Sequence, residues 1–176
     1  TANEKIKIRH SMNLPSEKKL LLFVGRLVQA KGLDYVLNAM NLLPKDVALI
    51  LIGEGERKES IKKQISDHNL GDRVMLLGSK FNVDDYYRAC DVFIMSSTYE
   101  PLGQTILEAA ACGLPIVAFH KNTEILTATH ELELDYAIHF AKGLTGDSLS
   151  EAISSALESV RTCEIREVGH HFREVY

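Results

Sequence analysis

Three uninterrupted apolar runs in this chain end in glycine: Leu20 to Gly25 (LLLFVG), Val47 to Gly53 (VALILIG) and Val74 to Gly78 (VMLLG). Two more, Asp91 to Ser97 (DVFIMSS) and Leu114 to Phe119 (LPIVAF), are almost as apolar. None alternates polar with apolar residues, so each must bury both faces. That is the pattern of parallel strands covered on both sides, not of a sheet with one wet face. Between the runs lie helical patterns. Leu33, Val36, Leu37 and Met40 recur at i, i+3, i+4 and i+7, and Ile61 with Ile65 mark a second helix. A short helix is predicted over Val83 to Ala89, a weaker strand over Tyr136 to Phe140, and polar helices over Leu149 to Val160 and Glu164 to Val175. A β-α unit repeated in this way predicts an α/β fold, three layers deep (α/β/α), around a parallel sheet of about six strands.

The length of 176 residues suits one domain with a real core, and no repeat, low-complexity tract or linker divides it. A net charge of -4 argues against nucleic acid as a partner, since such binders present a basic face. The seven histidines lack the spacing of a metal site, and no metal is expected. Cys90, Cys112 and Cys163 are odd in number and far apart, which reads as small hydrophobes in a reducing compartment. No apolar run approaches the ~20 residues of a membrane span, and the polar start is not a signal peptide. A cytoplasmic location is expected, peripheral at the inner membrane face at most.

Parallel sheets bind ligands outside the carboxyl ends of their strands. The segments at those ends are therefore the candidates. After the first run come Arg26 and Lys31 in GRLVQAKG. A guanidinium fork with an ammonium point charge suits a diphosphate, although two solvated loop cations would read the same way. The second glycine turn, Gly53 to Arg57 (GEGER), lacks the last glycine of a dinucleotide fingerprint and puts two acids where phosphate would sit. It reads as a tight β-α turn.

The segment Tyr99 to Phe119 (YEPLGQTILEAAACGLPIVAF) is more informative. Gly103 opens a helix, so the first amides, Gly103, Gln104 and Thr105, form an anion site. Glu108 lies about 7 Å further along the axis at about 1.5 Å per residue, and its side chain leans back toward that site. It is placed to meet a hydroxyl pair beside a bound phosphate, with Glu100 on the other flank. The plainer alternative makes Glu100 a cap-like residue and Glu108 a solvated one. Glu108 sits in an otherwise apolar helix, however, where a carboxylate needs a partner.

Three motifs in order, FVGRLVQAKG, LIGEGER with LGDRVMLLG, and SSTYEPLGQTILEAAACGLPIV, resemble the C-terminal half of retaining GT-B glycosyltransferases of group 1. The last contains that family's E-x7-E pattern as Glu100 and Glu108. The resemblance covers roughly Leu20 to Val117 and implies a Rossmann-like domain that binds a nucleoside-diphosphate sugar. It implies that Arg26 and Lys31 meet the diphosphate, that Glu100 faces the hydroxyls of the transferred sugar, and that Glu108 takes the ribose. Gly25 and the main chain of Gly103 to Thr105 would sit against sugar and phosphates, and Gly78 with Ser79 beside the base. No cofactor or metal is implied; the donor would be a UDP-, GDP- or ADP-sugar. The alternatives are a GT-B-like nucleotide-sugar epimerase or a non-catalytic binding module. A phosphoacceptor domain is disfavoured, because it needs clustered acids where Arg26 and Lys31 stand.

The family's paired-glycine loop is replaced by His120-Lys121-Asn122-Thr123 before Glu124-Ile125, and its Asn-Gly-leucine stretch by Leu134 to Ala137. Gln104 stands where an aliphatic residue is commoner. The resemblance further implies an N-terminal acceptor domain not contained in these residues and a carbohydrate or lipid-linked acceptor. Little transfer is expected from this domain alone.

Overall fold

The computed structural model describes residues 2–100, 103–122, 124–127, 129 and 137–161. Tyr136, Cys163, Thr123 and the helix expected over 164–175 lie outside the described residues. Among the described residues the strands are β1 (Lys19–Val24), β2 (Val47–Ile52), β3 (Val74–Leu76), β4 (Val92–Met95), β5 (Tyr99–Glu100), β6 (Ile116–Phe119), β7 (Leu126–Thr127) and β8 (Ile138–Ala141). Six of them form one sheet in the order β3-β2-β1-β4-β6-β8, every pair parallel, while β5 and β7 make a separate two-stranded ladder. The helices are α1 (Ala2–Ser11), α2 (Leu33–Leu42), α3 (Lys58–Asp67), α4 (Val83–Ala89), α5 (Gln104–Ala111) and α6 (Gly146–Arg161).

The uninterrupted apolar runs are explained by the two cores. Leu21 and Phe23 of β1 pack with Leu49 and Leu51 of β2 against α2, α3 and α6. Leu20 and Leu22 point the other way, with Ile50 and Phe93, toward α4 and α5. Every residue of β2 is buried. At ~1.5–3 kcal/mol for each large side chain, these two faces supply most of the favourable side of folding. Cys90 belongs to the second core and is fully buried; Cys112 is only half-buried, less sequestered than the sequence suggests.

Helix α1 was not expected and has almost no apolar face. Ile8 packs against the second core, and polar contacts tie down the rest of the helix. The buried Arg9 donates to the carbonyls of Ala89 and Lys18 at 2.7 and 3.0 Å and to Asp91 Oδ2 at 2.7 Å. Lys5 Nζ donates to Asp91 Oδ1 at 2.9 Å, and the Leu20 amide to Oδ2 at 2.7 Å. Burial alone would raise the Asp91 carboxyl, but the Lys5 and Arg9 charges and the Leu20 amide outweigh it and hold it below the usual carboxylate range.

The strand order places the site. Chain progression from β1 goes outward through β2 to β3, then returns across β1 to β4 and continues the other way. The loops after β1 and β4 therefore diverge and leave a crevice at their carboxyl ends. One polar clasp sets its width. Ser96 Oγ donates to the Lys31 carbonyl at 2.7 Å, and the Thr98 amide to the Ala30 carbonyl at 2.9 Å. Gly32, at φ 62°, permits the approach: a Cβ there would lie 2.1 Å from the Ser96 carbonyl oxygen.

Candidate functional site

The loop after β1 is braced from below by the loop after β2. Leu27 donates its amide to the Glu54 carbonyl at 2.9 Å, and the Arg57 amide returns to the Leu27 carbonyl at 3.0 Å. The GEGER segment is thus a turn that supports its neighbour. Its Arg57 forms a two-point pair with Asp34, at 2.6 and 2.9 Å, so α2 and α3 are tied at their N-termini. The Arg57 hydrogen bonds hold the Asp34 carboxyl below its ordinary range, with help from Gln64.

On this support the β1 loop carries two cations with different surroundings. Arg26 is exposed. Lys31 turns inward, its Cε 3.7 Å from where a Cβ on Gly25 would be. Its Nζ donates to Glu100 Oε2, pairing two side chains that are 17% and 14% exposed. Glu100 lies on β5, whose pairing with β7 sets Glu100 against Thr127. The two residues assigned from sequence to different parts of one ligand therefore touch each other.

Gly103 precedes α5 with no side-chain cap, so among the described residues no side chain covers the amides of the first turn. A Cβ on Gly103 would lie 3.5 Å from Glu100 Cγ and 3.1 Å from Met95 Cε. The acid, the helix mouth and the end of β4 thus meet at one point. Gln104, next in line, is exposed.

Thr105 in the first turn of α5 and Glu108 one turn further along line a cleft of about 600 Å³ with Val24, Phe81, Asn82, Asp84 and Arg88. The partner that an acid in an apolar helix requires is Tyr87, whose hydroxyl donates to Glu108 Oε2 at 2.8 Å. Burial pushes the Tyr87 phenol far up, and the bond to Glu108 raises it further. Both effects favour the neutral, donating phenol.

The sequence-assigned residues fall into two groups on either side of Gly103. Gly25, Arg26, Lys31 and Glu100 lie by the β1–β4 crevice, and Thr105 with Glu108 lie in the cleft beyond. Gly78 and Ser79 do not line that cleft; Phe81, Asn82 and Val83, just after them, do. Gly78 instead takes the Gly53 amide on its carbonyl at 2.9 Å, and Ser79 is exposed. Phe81, Asp84, Arg88 and Tyr87 escaped sequence reasoning. The signal for Phe81 was a large aromatic in a polar turn; Tyr87 had none, since it lies on the apolar face of a short helix. Among the described residues no group of three or more His, Cys, Asp or Glu side chains could hold a metal ion, and no helix is long and apolar enough to cross a membrane.

The family model described as glycosyl transferases group 1 matches residues 4–167. A lipopolysaccharide core biosynthesis glycosyltransferase of Rhizobium meliloti is 36% identical over 110 residues, which cover 62% of this chain and 32% of that protein. The chain thus spans about a third of the length of such relatives. Among solved structures, the HepE protein of Anabaena in complex with UDP superposes with a TM-score of 0.83 at 24% identity, covering 99% of this chain and 48% of that one. The C-terminal domain of a glycosyl transferase group 1 family protein from Francisella tularensis superposes with a TM-score of 0.79 at 16% identity. That match covers 96% of this chain and 90% of the other, and both likenesses describe the fold.

Proposed function

The chain belongs to the glycosyl transferases group 1 family, and from that membership and the rim geometry we propose that it is the donor-binding domain of a glycosyltransferase. In this reading the domain holds a nucleoside-diphosphate sugar for retaining transfer of a hexose, and a further, N-terminal domain presents a carbohydrate or lipid-linked acceptor. The observation that carries it is the meeting of Lys31, Glu100 and the uncapped start of α5 at the β1–β4 crevice, with the Glu108 cleft one turn beyond. The bound UDP of the Anabaena structure supports a nucleotide as ligand.

Arg26 and Lys31 take the diphosphate with the amides of Gly103 to Thr105. Glu100 accepts hydrogen bonds from the sugar, Glu108 from the ribose, and the Phe81 side of the cleft receives the base. Breaking the sugar–phosphate bond leaves negative charge on the departing diphosphate. The two cations and the helix amides interact most strongly as that charge develops, which lowers the barrier without binding the ground state equally well. No resident cofactor or metal enters this scheme.

Thermal unfolding of the chain with UDP-, GDP- and ADP-sugars tests the proposal, because a ligand that binds only the folded state raises the midpoint. One base is expected to stabilise, and Glu108→Ala to weaken it by about 1–3 kcal/mol. No shift with any of the three would overturn the proposal. Product analysis with the longer enzyme and an acceptor pool separates transfer from epimerisation or mere binding.

A further inference from the structure

Glu108 sits on an exposed helix position, where a long acidic side chain ordinarily samples several rotamers. Its neighbour across the α4–α5 contact has no such freedom. The Tyr87 residue is 1% exposed, and its ring is tilted against Phe93 with centroids 5.6 Å apart. Tyr87 does not itself line the cleft; its phenol oxygen meets Glu108, which does. The phenol has one hydrogen to give. The Glu108 carboxylate at 2.8 Å takes it, while the Thr105 carbonyl at 3.4 Å lies at the edge of bonding range.

We propose that Tyr87 is a positioning residue for nucleotide binding: it fixes the Glu108 carboxylate in the cleft so that both oxygens can accept from a vicinal diol. This rests on the reading of Glu108 as the ribose-binding acid. The bond occupies one of the two lone-pair positions of Oε2. The other remains, and Oε1 makes no hydrogen bond to the described residues. A carboxylate held by a buried ring is ordered before the ligand arrives, so less freedom is lost on binding. Burial raises the phenol and so favours its neutral, donating form. The ring therefore orients Glu108 without touching the nucleotide itself.

The test compares UDP, GDP and ADP with their 2′,3′-dideoxy counterparts by calorimetry on the whole chain. The unmodified protein should prefer the ribose form of its nucleotide, and Tyr87→Phe should cut that preference about tenfold while leaving the dideoxy affinity unchanged. The ratio is internal to each variant, so a general loss of folded protein cancels. In a Glu108→Ala background the Tyr87→Phe change should be silent. A Tyr87→Phe protein that keeps the full ribose preference, or that loses both ligands equally, would overturn the proposal and leave the phenol a packing group. If the unmodified protein bound a nucleotide but did not distinguish ribose from dideoxyribose, the Glu108 assignment itself would fail, and this inference with it. Absence of binding by all three nucleotides would instead remove the donor-domain reading on which both stand.

Discussion

Lys31 and Glu100, 69 residues apart in sequence, form an ion pair at the crevice between β1 and β4 with both side chains largely shielded from water. The pair links two halves of the proposed ligand. While Lys31 is engaged by a carboxylate, it offers less to a phosphate, and Glu100 adds repulsion of its own. Glu100→Gln should therefore raise the affinity for a free nucleoside diphosphate by about 1 kcal/mol, or about fivefold, and lower the advantage of the sugar-bearing donor over it. Calorimetry with both ligands reads the two effects separately. An unchanged or weaker affinity for the free diphosphate would mean that Lys31 plays no part in holding phosphate.

Phe81 stands wholly in solvent at 110% exposure, yet it lines the Glu108 cleft. A phenyl ring left uncovered contributes nothing to the core, so Phe81→Ala should leave the unfolding free energy within about 0.5 kcal/mol. If the base stacks on it, the same change should weaken nucleotide binding by about 1–3 kcal/mol. Urea unfolding and calorimetry on one preparation decide the matter. Loss of binding with stability intact is the expected result; unaltered binding would move the base elsewhere.

The Gly32 backbone is a stricter constraint. A side chain there meets the Ser96 carbonyl oxygen at 2.1 Å and must adopt φ 62°, so the clasp that positions Lys31 would have to open. Gly32→Ala should cost about 3 kcal/mol or more, beyond the ~1 kcal/mol of the left-handed conformation alone. Gly71, with nothing within 4 Å of its would-be Cβ, is the control and should tolerate alanine at little cost. Denaturant midpoints of the two variants give the comparison.

The layers of the fold were readable because β1, β2 and β4 are buried on both faces and so carry no polar interruptions. The same logic hid α1. Lys5 and Arg9 reach Asp91 and main-chain carbonyls while Ile8 packs on the core, and so sparse an apolar face leaves no hydrophobic period to read. The β5–β7 ladder, two residues per strand, is too short for any periodic signal. In the candidate site, the place of Glu100 and Glu108 around a helix start was legible in the sequence. The partners they take could not. Lys31 has two chemically sensible partners, phosphate or carboxylate, and Tyr87 resembles any other core aromatic until α4 is set beside α5.

The α1 anchor yields a prediction about stability and pH. Asp91→Asn leaves Arg9, with a side chain 6% exposed, without its counter-charge, and should cost about 3 kcal/mol at neutral pH, the low end for a broken buried pair because the carbonyls of Ala89, Ser16 and Lys18 still receive the guanidinium. The Asp91 carboxyl titrates lower in the folded protein than in the unfolded chain. Its contribution is therefore complete above the unfolded value of about 3.9 and is lost as pH falls through the lower folded one. The gap between the unmodified protein and Asp91→Asn should accordingly narrow on acidification and stay constant between about pH 6 and pH 8. Asp46→Asn, which removes an exposed pair with Lys19 at 3.0 Å, should cost less than about 0.5 kcal/mol throughout. Urea unfolding across this pH range separates the two. Equal costs at both positions would mean that α1 is held by something other than this cluster, and that its polar contacts are incidental to the docking.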